Sequence, residues 1–223
     1  QLELPSNQQV VKYRPFLVRE QKILMLAQEA ENKEDTYNML SDIVGGCTFN
    51  SVDIKTMPIF DFEYLFLKIR CKSVGETVEL SILCPDDEET RVPVTINLDV
   101  IDVQVEDDHN NVIGVNDSIK IIMRHPTVGD IKSVDEAETL NNIMKLLKVC
   151  IHEIHDGDTI HSMIDVTNKE LDEFVDSLST EVFEKIGEFF NTMPKLTHVV
   201  EIKNPKTEVT SEIVLQGMES FFS

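Results

Sequence analysis

The sequence predicts an α+β fold: a helical body with a small antiparallel β subdomain in the middle of the chain and terminal β-strands. Apolar residues recur at helical spacing on both sides of residues 76–124, whereas apolar and polar residues alternate within that segment. A chain of 223 residues that is 41% hydrophobic can bury one substantial core or two small ones. We therefore expect a single domain over residues 1–223, with 76–124 as a β-rich subdomain within it.

The N-terminal quarter predicts one strand and two helices. Residues 8–18 alternate weakly, which is typical of an edge strand that Pro15 limits. Residues 19–31 carry apolar side chains at helical spacing among Glu, Gln and Lys, which indicates an amphipathic helix. Asp35-Thr36 can cap a second helix, and Gly45-Gly46 is expected to end it.

The segment Phe60–Glu76 is the densest apolar stretch of the chain. Six of its first eight residues are aromatic or leucine. Its pattern fits both a strand and a helix, but a helix that is apolar on most sides has to be buried. The interpretation that we favour is a buried helix that ends at Ser73-Val74-Gly75-Glu76 and leads into a hairpin.

Strict alternation follows in the middle of the chain. Residues 77–84 and 92–98 form a predicted hairpin around an acidic turn, in which Pro93 marks an edge. Residues 100–105 and 118–123 are predicted as further strands, with a polar turn at 107–111 between them.

The C-terminal half mixes helices and strands. A helix is predicted to open at Ser133, which forms a capping box with Glu136. The remaining predicted elements are a hairpin over 151–164 around Asp156-Gly157, helices at 168–178 and 180–191, and strands at 197–203 and 208–214.

Composition excludes several classes of function. The net charge is −21, from 41 acidic and 20 basic residues, so neither nucleic acid nor an anionic membrane is expected as a partner. No apolar run reaches the roughly 20 residues of a membrane span, and the N-terminus lacks the features of a signal peptide. We expect a soluble intracellular protein whose four scattered cysteines are reduced.

A group of histidines and aspartates near the predicted 151–164 hairpin is the best metal-like cluster: His152, His155, Asp156, Asp158 and His161. It supports an alternative function, a metal-dependent hydrolase. Zinc needs three or four convergent ligands, however, and this spacing matches no standard motif. The chain also lacks a nucleophile elbow, a P-loop and a dinucleotide-binding fingerprint. We therefore predict no catalytic, metal or cofactor site.

Cys84-Pro85 resembles half of a zinc knuckle. Asp86 and Asp87 stand where a second cysteine would be expected, so a buried core thiol is the simpler interpretation. At the other end of the chain, Met218, Phe221 and Phe222 belong to an apolar tail that either packs back onto the domain or docks into another subunit.

Several segments resemble the T4-like bacteriophage baseplate protein family, which contains baseplate hub subunits and hub assembly proteins of contractile-tailed phages. The resemblance covers most of the chain and is strongest over residues 2–98. It is carried by Leu4-Pro5-Ser6, Lys12–Phe16, Arg14–Leu24, Phe62–Arg70, Ser73–Glu76 and the Cys84 hairpin. Related members carry a second cysteine near the position of Cys84, and its absence here weakens a zinc proposal.

The resemblance implies a non-enzymatic late protein that acts in baseplate hub assembly, as a hub subunit or as an assembly chaperone. Its partners would be other hub proteins, and it would be found in the host cytoplasm during assembly or in the tail baseplate of the virion. The candidate partner-binding residues are Arg14, Arg19 and Glu20, together with the apolar tail. An anti-host factor that mimics nucleic acid is a further reading with less support, because the charges form no continuous acidic face.

Overall fold

The computed structural model describes residues 1–30, 32–131, 140–163 and 165–221. Its α-helices are α1 (Val18–Gln28), α2 (Lys33–Cys47), α3 (Ile59–Val74), α4 (Val128–Ile131), α5 (Leu140–Cys150), α6 (Asn168–Asp176) and α7 (Thr180–Thr192). Its strands are β1 (Leu2–Glu3), β2 (Val10–Val11), β3 (Thr77–Leu83), β4 (Arg91–Asn97), β5 (Asp102–Gln104), β6 (Val112–Gly114), β7 (Ile119–Met123), β8 (Ile151–Asp156), β9 (Thr159–Ser162), β10 (Lys195–Lys203) and β11 (Thr210–Gln216). Short 3-10 helices cover Leu98–Val100 and Met218–Phe221.

The predicted α+β class is confirmed, because helices alternate with small antiparallel sheets. The chain divides into two compact units. Unit 1 comprises residues 1–54, 60–104 and 194–223, and unit 2 comprises residues 55–59 and 105–193. The 76–124 segment falls partly in each unit. Among the described strands, β3 pairs with β4 in unit 1, whereas β6 and β7 belong to a sheet with β8 and β9 in unit 2. Among the described helices, none combines the length and apolarity that a membrane crossing requires.

Helix α3 lies at the centre of unit 1, as the apolar Phe60–Glu76 pattern predicts. Phe62, Leu65 and Phe66 are fully buried in it. The helix ends one residue before Gly75, whose φ of +109° is a conformation that other residues rarely adopt. The chain turns there and enters β3.

Helix α2 differs from its prediction at both ends. Asn32, not Asp35 or Thr36, caps it by accepting a hydrogen bond from the backbone N–H of Asp35. Gly45 and Gly46 do not end the helix but lie inside it. A Cβ on Gly46 would be 3.2 Å from a carboxylate oxygen of Glu20, so this glycine permits close packing.

The predicted 8–18 edge strand is wrong over most of its length. Only Val10–Val11 pairs, with β1, and α1 already begins at Val18. The intervening chain is held differently, because the N–H of Phe16 donates to the Ser73 hydroxyl of α3 at 2.8 Å. The Ser73 hydroxyl therefore accepts the hydrogen bond that a neighbouring strand would accept in a sheet.

Two sheets of unit 1 share one core. The β3–β4 hairpin has the predicted edge proline, with Pro93 opposite Ser81, and its apolar face includes Leu80 and Ile96. Strand β10 lies between β11 and β5, and it contributes Leu196 to the same cluster.

Unit 2 is built on a four-stranded antiparallel sheet in the order β6-β7-β8-β9. The predicted hairpin around Asp156-Gly157 is present as β8 and β9, and Gly157 takes a positive φ of 57°. Buried residues of α5, α6 and α7 pack with this sheet in one cluster. Strand β6 was not predicted. The predicted capping box of Ser133 and Glu136 lies outside the described residues.

Candidate functional site: the exposed face of helix α1

Helix α1 presents apolar side chains to the solvent. Val18, Met25 and Leu26 are 75%, 58% and 56% exposed, and Leu17 before them is 52% exposed. At about 100° per residue, the exposed side chains described for α1 fall within a sector of about 120°. We call this sector the α1 face: Val18, Arg19, Lys22, Met25 and Leu26.

The buried side of α1 carries a carboxylate where an amphipathic helix normally has an apolar residue. Glu20 is 2% exposed and Ala27 is 5% exposed. The helix predicted over residues 19–31 is present as α1, but Leu26, one of the apolar residues of its pattern, points outward whereas Ala27 is buried. The inner side of α1 therefore includes both Glu20 and Ala27.

Three partners hold Glu20 in place. Its Oε1 lies 2.8 Å from Arg14 Nη2 and 2.6 Å from Arg19 Nε, and its Oε2 accepts from the backbone N–H of Leu17 at 2.7 Å. The Arg14 guanidinium, helped by these other donors, lowers the pKa of Glu20 to about 2. The buried carboxylate is thus charged and hydrogen-bonded at neutral pH.

Arg14 links Glu20 to helix α2. Its guanidinium donates to the carbonyl of Gly46 at 2.9 Å, and its backbone N–H donates to the carbonyl of Cys47 at 3.0 Å. Both Arg14 and Glu20 are therefore engaged inside unit 1. Arg19 differs, because 68% of its side chain is exposed on the α1 face. A partner-binding role for these three residues remains a prediction.

The apolar tail is seated within its own unit. Met218 and Phe221 are 4% and 0% exposed in the final 3-10 helix, and Phe221 packs in the core cluster that contains Leu196. Phe222 lies outside the described residues. Docking of this tail into another subunit remains a prediction.

The histidine cluster of the alternative hydrolase hypothesis is not brought together. His155 pairs with Ile160 and His161 pairs with Ile154, so these two histidines occupy opposite faces of the hairpin. His155 instead lies 2.8 Å from Glu153. No group of three metal-ligating side chains occurs among the residues that the structure describes.

A different histidine pair forms in unit 2, and sequence reasoning did not anticipate it. His109 Nε2 and His125 Nε2 are 3.0 Å apart. Thr192 donates its hydroxyl proton to the Glu188 carbonyl, so it accepts from His109 Nδ1 at 3.0 Å. His109 Nε2 is then the acceptor and His125 Nε2 the donor, which makes the His109 ring neutral. Burial lowers the pKa of His125 to about 4.

This pair lines an open cavity of about 470 Å³ in unit 2. Arg124 also lines the cavity, but its guanidinium is occupied by Asp130 at 2.7 and 3.1 Å. His109 and His125 are 16 residues apart in loops, and no spacing rule relates them. Of the five residues of the predicted metal cluster, His152 is the one that the described lining of this cavity includes, and the guanidinium in that lining is already paired with Asp130.

Comparison with known proteins identifies one family. The model of the family described as "T4 bacteriophage base plate protein" matches residues 1–223, the whole chain. No curated protein and no solved structure matches. The family assignment rests on the full length of the chain.

Proposed function

Because the chain belongs to the T4 bacteriophage base plate protein family, we propose that it acts in assembly of the baseplate hub by binding other hub proteins. The family gives the protein a structural role in the phage baseplate and implies contacts with other baseplate proteins. The more specific proposal is that these contacts are made by the α1 face and that the protein works without catalysis, as hub subunit or assembly chaperone.

The observation that carries the proposal is the exposed apolar sector of α1. Scattered exposed apolar residues are ordinary, but contiguous groups on one helix face are typical of protein–protein contacts. Here the three large apolar side chains of Val18, Met25 and Leu26 lie on one face, while the inner side of the helix carries the buried carboxylate of Glu20. The α1 face also overlaps Arg14–Leu24, one of the segments that carries the family resemblance.

Charge suggests the chemistry of the partner. The protein has a net charge of −21, yet the charged residues of the α1 face are Arg19 and Lys22, and the exposed carboxylate described next to this face is that of Glu29 at the C-cap. An apolar surface with a basic rim complements an apolar segment flanked by Asp or Glu. We therefore propose a helix-in-groove or helix-on-helix contact with an acidic-rimmed hub protein.

The test replaces apolar residues on this face by a good helix former that carries charge. Met25→Glu with Leu26→Glu is expected to leave folding intact, because exposed substitutions usually change the free energy of unfolding by less than about 0.5 kcal/mol. Phe183→Glu is the matched control, since Phe183 is an apolar helical residue that is 40% exposed in unit 2.

The readouts are complementation of a phage that lacks the gene and co-purification of baseplate proteins identified by mass spectrometry. The α1 variant should fail in both, whereas the control should behave as wild type. Equal function of both variants would refute the role of the α1 face. Mass spectrometry of purified virions then separates the two forms of the proposal, because a chaperone is missing from finished particles and a hub subunit is present.

A further inference from the structure

Two turns of unit 1 have the same backbone design. One connects β3 to β4 and begins at Cys84, and the other connects β10 to β11 and begins at Asn204. In each turn proline is the second residue, and the fifth residue donates its N–H to the carbonyl of the first, at 3.0 Å for Glu88 and 2.9 Å for Glu208. Both fifth residues have positive φ, 53° and 64°.

The two turns face each other. Asn204 Nδ2 donates to both carboxylate oxygens of Asp86, at 3.1 and 3.0 Å, and the Thr207 hydroxyl donates to the same carboxylate. Cys84 and Asn204, the first residues of the turns, are each 1% exposed. These contacts join segments that are 118 residues apart in the sequence.

The Asp87 carboxylate lies in the same cluster. It accepts from the hydroxyl and the N–H of Thr90, and together with Asn204 these donors lower its pKa. The charges of Asp86 and Asp87 act in turn on the Cys84 thiol, whose pKa is raised chiefly by burial. The side chains of both turns therefore converge on one place.

Facing turns at the ends of two hairpins are the scaffold of a zinc ribbon, in which each turn supplies ligands at its first and fourth residues. In this chain those four positions are Cys84, Asp87, Asn204 and Thr207. One thiol, a carboxylate committed to Thr90, an amide and a hydroxyl do not make a structural zinc site. The residues present do not fit the metal.

We infer that these turns form a zinc-ribbon scaffold in which a hydrogen-bonded clasp centred on Asp86 joins the two hairpins in place of a metal ion. The clasp supplies what the metal supplies elsewhere, a cross-link between distant segments. The backbone design alone does not make a clasp, as a third turn of the chain shows. Leu4–Gln9 has the same Pro5 and a positive φ at Gln8, but it faces no second turn of this kind among the described residues.

The direct test restores the missing ligands. The triple variant Asp87→Cys, Asn204→Cys and Thr207→Cys, with native Cys84, is titrated with Co²⁺ and Zn²⁺. We expect one metal per chain, the visible absorption of tetrahedral cobalt thiolate, and a metal-dependent rise in Tm. The matched control adds Cys84→Ser to the triple variant and should bind metal more than about tenfold less tightly, since even second-shell changes cost that much.

A double-mutant cycle tests the clasp in the native scaffold. Asp86→Ala and Thr207→Val are each expected to lower Tm, and the double variant should lose less than the sum of the two shifts because the residues share one hydrogen bond. The inference is overturned if the Tm shifts add, or if the folded triple variant binds cobalt no better than its Cys84→Ser control. Should the triple variant fail to fold, the cycle alone decides.

Discussion

At the scale of single residues, Glu20 governs how the N-terminal helix is presented. A buried carboxylate is costly unless it is paired and hydrogen-bonded, and Glu20 meets both conditions through Arg14, Arg19 and Leu17. Satisfying Glu20 on the inner side of α1 places Met25 and Leu26 in the solvent. The residue thus connects the stability of unit 1 to the surface proposed for binding.

Glu20→Gln should lower the free energy of unfolding and should also reduce the dependence of that free energy on pH. The pKa of Glu20 is lowered from 4.5 to about 2 in the folded state, so its contribution is complete above about pH 4.5 and is lost as pH falls toward 2. At pH 7 the variant should lose about 1.5–3 kcal/mol of unfolding free energy, the range for hydrogen bonds to charged groups. Urea unfolding from pH 7 to pH 2 measures both effects. An unchanged slope between pH 4.5 and 2 in the variant would show that Glu20 is not the titrating group.

Because of the His109–His125 pair, we expect the stability of unit 2 to depend on pH in a second range. The pKa of His125 falls from 6.5 to about 4 on folding, so the unfolded chain takes up the proton first. Stability should therefore drop as pH falls from about 6.5 to 4, by on the order of 2 kcal/mol. Asp108 acts in the opposite direction on His109, but burial outweighs it.

His125→Phe tests this window, because the ring already stacks on Phe189 with centroids 5.7 Å apart. The variant should lose less stability between pH 6.5 and 4 than the wild type does. His161→Phe is the control, since His161 is exposed on β9. The same pH profile in the wild type and in His125→Phe would contradict the assignment.

At the scale of elements, local sequence patterns predicted the helices and strands that are buried on one face or on all sides. The Phe60–Glu76 helix, the β3–β4 hairpin and the Asp156-Gly157 hairpin all follow from apolar periodicity and turn chemistry. Helix α1 was predicted, but the outward position of Leu26 was not, and the prediction that Gly45-Gly46 ends α2 was wrong. In both places a tertiary contact, the Glu20 cluster, decides what the local pattern leaves open.

Glycine substitutions separate backbone strain from helix propensity. Gly75 has a φ of +109° and a Cβ there would meet no atom within 4 Å, so Gly75→Ala should destabilise through strain alone, by about 1–2 kcal/mol. Gly187 lies inside α7 with equally open space, so Gly187→Ala should stabilise by about 0.5–1 kcal/mol. Chemical denaturation of both variants checks the opposite signs, and two shifts of the same sign would contradict this account.

At the scale of the whole molecule, sequence reasoning identified the α+β class and the family but not the pairing of distant segments. Strand β10 joins β5 in one sheet although about 90 residues separate them, and the Cys84 turn meets the Asn204 turn over a similar gap. No periodicity encodes such contacts. The His109–His125 pair was missed for a different reason, since its residues are only 16 apart but lie in loops that no spacing rule relates.

The family match gives the protein a structural role in the phage baseplate, and the exposed α1 face is the surface proposed for its contacts there. The chain carries a net charge of −21, whereas the proposed α1 contact is apolar with a basic rim that complements an acidic-rimmed partner. The proposed contact is therefore local, and it can be located by a probe placed at one residue.

The most direct measurement is site-specific photo-crosslinking in phage-infected cells, with a photoreactive amino acid at Val18 and, as the control, at Lys169 of α6. Both positions are exposed, at 75% for Val18 and 87% for the Lys169 side chain. We predict that Val18 crosslinks to a baseplate hub protein identified by mass spectrometry and that Lys169 does not. Crosslinks from Lys169 but not from Val18, or none to any baseplate protein, would contradict the proposed role of the α1 face.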